Sequence, residues 1–177
     1  MSATFDITWR PFYLDPAAPD PSVDRTAHYA ARFGAAQAAA MTARLTAIGA
    51  ADGIRFAFGG RTGRTRDSHR LIELGREKGV QTAVVEALFR AYFEDEQDIT
   101  QISVLVAAAE AAGIAPAEAT AWLQGEGGGA VVDREVAQAK LAGISGVPHF
   151  TFNGAHKMSG AQEPAAFLEV FEFFEDE

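Results

Sequence analysis

The stretch Ser145-Gly146-Val147-Pro148-His149-Phe150-Thr151-Phe152-Asn153-Gly154 constrains this chain more than any other. A turn of small residues leads through a Val-Pro bond into a short aromatic strand. Asn153-Gly154 then forces a reversal, because a type I′ turn needs positive φ at both central residues and Asn-Gly supplies it at little cost. Proline at the first position of a strand gives up no interior ladder bond. The pattern predicts a hairpin of residues 148–152 and 155–159, followed by a helix over 166–174. Pro164 sits where a first helical turn tolerates it. Phe167, Phe171 and Phe174 fall at helical spacing and are expected on the sheet.

The other end of the chain also alternates. In residues 4–12, Phe5, Ile7 and Trp9 point one way while Asp6, Thr8 and Arg10 point the other, which predicts a strand. Pro11, Pro16, Pro19 and Pro21 then make an extended connector. From 24 to 141 the period becomes helical. Gly34, Gly79 and Gly113 stop successive helices, and Pro116 opens one. Ala38, Met41, Leu45 and Ile48 make an apolar stripe, and Ile54–Phe58 reads as a short extended piece. Val84, Val85, Leu88, Phe89, Tyr92 and Phe93 predict a helix buried over much of its girth. Phe89, Tyr92, Phe93, Phe150 and Phe152 are expected in the core. Thr100 is the expected N-cap of the helix carrying Ile102 and Leu105. The order strand, helical block, two strands, helix predicts an α/β (α+β) fold, a small sheet interrupted by a helical insertion.

At 177 residues one domain with an inserted part is expected, and 48% hydrophobic content with 13 Phe favours order over disorder. A net charge of −9 argues against nucleic acid as the main partner. No apolar run approaches the roughly 18 residues that span a bilayer, and no signal-peptide core follows Met1. A cytoplasmic location is therefore the expectation. Glu169, Glu172, Glu175, Asp176 and Glu177 are read as a solvated face and tail. The chain contains no cysteine, so disulfides, thiol nucleophiles and thiolate-bound metals are excluded. No Gly-x-Ser-x-Gly elbow is present. Glu94, Asp95 and Glu96 sit at a surface-like helix end, which supports no acid–base pair. His28, His69, His149 and His156 show no metal-ligand spacing. No cofactor is expected.

Four segments resemble the DsbA-like thioredoxin-fold family, most closely its FrnE-type branch. They are Trp9-Arg10-Pro11-Phe12-Tyr13-Leu14-Asp15-Pro16, Thr65-Arg66-Asp67-Ser68-His69-Arg70-Leu71, Leu88-Phe89-Arg90-Ala91-Tyr92-Phe93 with Asp98-Ile99, and Gly143-Ile144-Ser145-Gly146-Val147-Pro148 with Ser159-Gly160-Ala161-Gln162. The resemblance implies a thioredoxin-like sheet from 1–22 and 143–177, with a helical domain inserted at 23–142. It implies thiol–disulfide oxidoreductase chemistry, for which members carry a strand, a Cys-x-x-Cys motif and its helix ahead of the strand that here begins at Thr4. That unit would add roughly 30 residues, and the sheet is expected to be incomplete without it. What the resemblance carries over is the substrate-side wall: a cis Val147-Pro148 bond, with the Val147 backbone pairing with an extended substrate.

The loop Gly59-Gly60-Arg61-Thr62-Gly63-Arg64-Thr65-Arg66 lacks the spacing of a phosphate loop. Arg64 and Arg66, with His69, remain candidate cleft or anion contacts at a helix start, for a carboxylate-bearing ligand such as glutathione. His69 also reads as a brace for that helix. Three functional readings stay open. One is an oxidoreductase-family chain without its dithiol, inactive in exchange as it stands. Another is a non-catalytic binder of extended peptide or a glutathione-like ligand. The third is a glutathione-using enzyme of the related kappa-type branch, whose motif serine would lie in the same absent segment. An unpaired sheet edge further predicts self-association.

Overall fold

Positive φ at Asn153 and Gly154 turns the chain back on itself in the computed structural model, which describes residues 4–175. The acidic residues Asp176 and Glu177 lie outside that range. In chain order the elements are β1 (Val23–Asp24), α1 (Arg25–Phe33), α2 (Ala35–Ala51), β2 (Arg61–Thr62), α3 (Arg66–Glu77), α4 (Gln81–Phe93), α5 (Ile102–Ala111), α6 (Pro116–Gln124), α7 (Gly129–Leu141), β3 (His149–Phe152), β4 (His156–Ser159) and α8 (Pro164–Glu175). The chain divides into two units, Met1–Val136 and Ala137–Glu177.

In the helical unit α3, α4, α5 and α6 enclose the core. Leu71, Leu74, Val84, Leu88, Leu105, Ala109, Ile114, Ala119 and Leu123 form one buried cluster. Gly75 lets α3 and α4 approach closely, since a Cβ there would stand 2.8 Å from Val84 Cγ2. Arg70 is buried on the same face of α3, at helical spacing from Leu74. Its guanidinium donates to the carbonyls of Gly127 (2.8 Å), Leu123 (3.1 Å), Trp122 (2.6 Å) and Gly125 (2.6 Å), and to Asp67 Oδ1 (2.9 Å). These carbonyls at the end of α6 lack helical partners, and the charged side chain satisfies them. Trp122 Nε1 donates back to Arg70 O at 2.9 Å. Arg25 does the same for a loop. It donates to the carbonyls of Ala57, Phe58 and Tyr92 and lies 4.5 Å over the Tyr92 ring.

Three expectations from the sequence are corrected, over residues 4–12, at Thr100 and at Phe89. Residues 4–12 are not a strand; neither described sheet contains them, and Phe5 and Ile7 are 57% and 62% exposed. The alternation is real, but alternation becomes a strand only where a neighbour supplies ladder groups. Here one residue finds a substitute. Trp9 N–H donates to Gln81 Oε1 (3.0 Å) and Gln81 Nε2 donates to Trp9 O (3.0 Å), so a buried amide stands in for a strand partner. Thr100 does not cap α5. Its N–H and hydroxyl donate to Asp98 Oδ1, and Gln101 takes the cap position without a side-chain bond. The stripe on α2 forms but stays open, with Met41, Leu45 and Ile48 all exposed. Phe89 is exposed rather than core, its ring edge-on to Trp9 at 6.2 Å.

In the second unit β3 and β4 pair antiparallel, with His149 opposite Ser159 and Phe152 opposite His156. Phe150 and Phe152 meet Phe167 and Phe171 of α8, at centroid distances of 5.0 Å (Phe150–Phe167) and 5.9 Å (Phe152–Phe171). The stripe of α8 therefore covers one face of the hairpin. Asp20–Pro21 and Val147–Pro148 are cis peptide bonds. Among the described residues no helix is long and apolar enough to cross a membrane.

Candidate functional site

Two places in the sequence bear candidate chemistry, the hairpin approach at Val147-Pro148 and the start of α3. At the first, Val147 is half exposed and leads into β3. β3 pairs with β4 on one side only, so its other edge carries main-chain groups with no ladder partner among the described residues. Gly160 N–H donates to Pro148 O at 2.8 Å and continues the β3–β4 pairing to the start of the strand. Side chains alternate across a strand. Phe150 and Phe152 thus face α8, while His149, Thr151, Lys157 and Ser159 share the opposite, polar face. His149 and His156 lie on opposite faces and do not meet.

At the second place the loop cations are already engaged. Arg61 donates to the Ser22 hydroxyl and carbonyl and lies 3.7 Å from Asp98. Arg64 stands 3.5 Å from Asp20. Arg66 makes a two-pronged pair with Asp133 of α7, from Nε at 3.1 Å and from its terminal nitrogen at 2.8 Å. Those hydrogen bonds hold the Asp133 carboxyl below its usual range, although partial burial opposes the shift. Tyr13 donates its hydroxyl to the same carboxylate at 3.3 Å. Desolvation first, and Asp133 second, push the Tyr13 pKa up to about 12, so the phenol stays protonated.

The Tyr13 ring packs edge-on to His69 at 5.5 Å. His69 Nδ1 lies 2.7 Å from Thr65 O, an acceptor, so the proton sits on Nδ1. Burial lowers the His69 pKa against the pull of that bond, and the ring is neutral near pH 7. The structure thus joins Arg66 and His69 through Tyr13 and Asp133, and it leaves Arg64 apart with Asp20. Each candidate anion contact at the start of α3 already has a protein partner. Among the described residues no three His, Asp or Glu side chains gather as metal ligands do.

The sequence matches the DSBA-like thioredoxin domain over residues 2–172. The chain belongs to the DSBA-like thioredoxin family. A crystal structure of a probable DsbA oxidoreductase from Streptomyces coelicolor superposes on it with a TM-score of 0.87 at 30% identity, covering 95% of this chain and 74% of that one. No curated protein matches the chain. This DSBA-like domain is therefore a mostly helical thioredoxin-like fold with a small sheet, and its family is that of thiol–disulfide oxidoreductases. The chain itself has no cysteine.

Sequence reasoning missed Tyr13, Gln81 and Asp133. Tyr13 lay inside a family-like segment, so a signal existed. Gln81 and Asp133 gave none, because their partners are 72 and 120 residues away.

Proposed function

We propose that this DSBA-like chain binds extended polypeptide along the free edge of β3 beside Val147 and Pro148, and is inactive in disulfide exchange as it stands. In this reading 1–22 and 143–177 form the thioredoxin-like part, 23–142 the insertion, and the protein works in the cytoplasm as a FrnE-type member. The observation that carries the proposal is the one-sided pairing of β3. Its open main-chain edge offers the donors and acceptors that strand addition uses, with an exposed Val147 at its start. Exchange needs an attacking thiolate and a mixed disulfide, and no residue of this chain supplies sulfur for either. Arg64, Arg66 and His69 have no part in this reading, because carboxylates and a carbonyl already engage them.

The test is a titration of 15N-labelled protein with an extended, cysteine-free peptide, alongside an insulin-reduction assay. Saturable shifts at the amides of 147 and 149–150, with no reductase activity, are the expected result. No shift at millimolar peptide overturns the binding reading, and turnover by chain cleared of contaminating thioredoxin overturns the inactivity. A second reading, self-association, is favoured by the exposed, alternating Phe5 and Ile7. Sedimentation over a concentration range separates the two, because only self-association raises the mass without peptide.

A further inference from the structure

The polar face of the hairpin carries an anomaly that peptide binding at the strand edge does not use. His149 Nδ1 lies 2.8 Å from Ser159 Oγ, while Nε2 of the same ring is buried and has no hydrogen-bond partner. A buried polar atom without a partner costs about 1–3 kcal/mol, and natural folds leave few of them. The ring borders a groove of about 230 Å³, lined also by Ser145, Gly146, Lys157 and Ser159. That is several times the roughly 30 Å³ share of one water molecule. Open space lies in front of Gly146, where a Cβ would meet nothing within 4 Å. Among the described residues no carboxylate lines the groove. Lys157 is exposed and forms no ion pair among the described residues.

We propose that this groove binds a small carboxylate, held by the His149 Nε2–H on one oxygen and the Lys157 ammonium on the other. In this proposal the Ser159 hydroxyl donates to Nδ1 and the ring proton sits on Nε2, which makes the orphaned atom a donor. The Ser145 hydroxyl adds a third donor to the lining. A ring N–H and an ammonium with no carboxylate opposite them select an acceptor ligand, and the lysine selects an anionic one. A planar carboxylate presents two oxygens side by side, which suits two donors better than a single halide does. Nε2 is closed from solvent, so binding uncovers the ring. The turn around Ser145 is flanked by Gly143, at φ 77°, and Gly146.

The test uses the whole chain, with histidine 15N spectra recorded during titration with sodium acetate at constant ionic strength, and with phosphate and chloride in parallel. His149 is expected as the Nε2–H tautomer. Its Nε2 and the Ser145 amide are expected to shift saturably with acetate. Lys157→Gln should bind acetate about tenfold more weakly, the scale of one charge-assisted hydrogen bond, and Ser159→Ala should shift the ring toward the other tautomer. An Nδ1–H tautomer in the unmodified chain overturns the proposal. So does an acetate response that fails to saturate, is matched by chloride, or persists unchanged in Lys157→Gln. Equal saturation by phosphate overturns the choice of carboxylate. A silent Nε2 in every titration overturns it too.

Discussion

Leu71, Val84, Leu105 and Ala119 in the helical unit are wholly closed from solvent, whereas among the described residues of Ala137–Glu177 only Val170 is a buried hydrophobic. The second unit relies instead on half-buried rings, Phe150 and Phe152 against Phe167 and Phe171. About forty residues cannot enclose a core of their own. The helices are therefore fixed by many interlocking aliphatic contacts, and the hairpin by its turn, its short ladder and a few aromatic edges. A strand held that lightly keeps a main-chain edge available, which a strand inside a closed core does not.

The sharpest way to break this contrast is a pair of truncations. Leu71→Ala is expected to cost about 2–5 kcal/mol, since a fully buried leucine leaves a cavity. Phe167→Ala should cost less, about 1–2 kcal/mol, because its pocket is open enough to collapse or admit water. Denaturant unfolding of both variants measures the difference, and equal costs would show that the two regions are packed alike. Next comes Arg70→Met, which keeps the bulk of the side chain but strands the carbonyls at the end of α6. A loss of about 3–4 kcal/mol is expected. If stability falls by less than 1 kcal/mol, the arginine does not hold α6 to α3.

The smallest effect is the dependence on pH at His69. Its folded pKa lies below the ordinary 6.5, so the unfolded chain takes up the proton first. The stability contributed by the neutral ring is fully present above pH 6.5. It is lost as pH falls from there toward the lower folded value. The thermal midpoint should drop from pH 7.5 to 5.5, and His69→Gln should flatten that slope. An unchanged slope would assign the pH dependence to other groups.

The hairpin was legible because its signals are local: Asn153-Gly154 dictates the turn, and Pro148 marks the strand start. Helix ends at Gly34, Gly113 and Pro116 were legible for the same reason. Residues 4–12 were misjudged because alternation reports which way side chains point, not whether a partner strand exists. Thr100 was misjudged because Asp98, two residues back, accepts from its N–H and hydroxyl and holds it in the turn before the helix, leaving Gln101 at the cap position. Hydrogen bonds from Ser22, Thr100 and Gln101 hold the Asp98 carboxyl below its usual range although burial raises it, and only Thr100 and Gln101 are sequence neighbours. The basic loop looked like an anion site because the acids that neutralise it, Asp20 and Asp133, are far along the chain from Arg66 or beyond a run of prolines. The family resemblance rested on contiguous motifs and needed no distant partner.

The chain has two tryptophans, and both belong to the helical unit. Trp122 gives its indole N–H to Arg70 O at the α3–α6 seam, and Trp9 gives its own to Thr82 Oγ1 where the N-terminal segment docks. Intrinsic fluorescence therefore watches one of the two units and not the other. A quencher should dim the 37%-exposed Trp9 before the more sheltered Trp122, separating detachment of the segment from melting of the seam. The hairpin holds no such lamp. Its melting or its loading with ligand will pass unseen in an emission spectrum and must be followed through its phenylalanines or its amides.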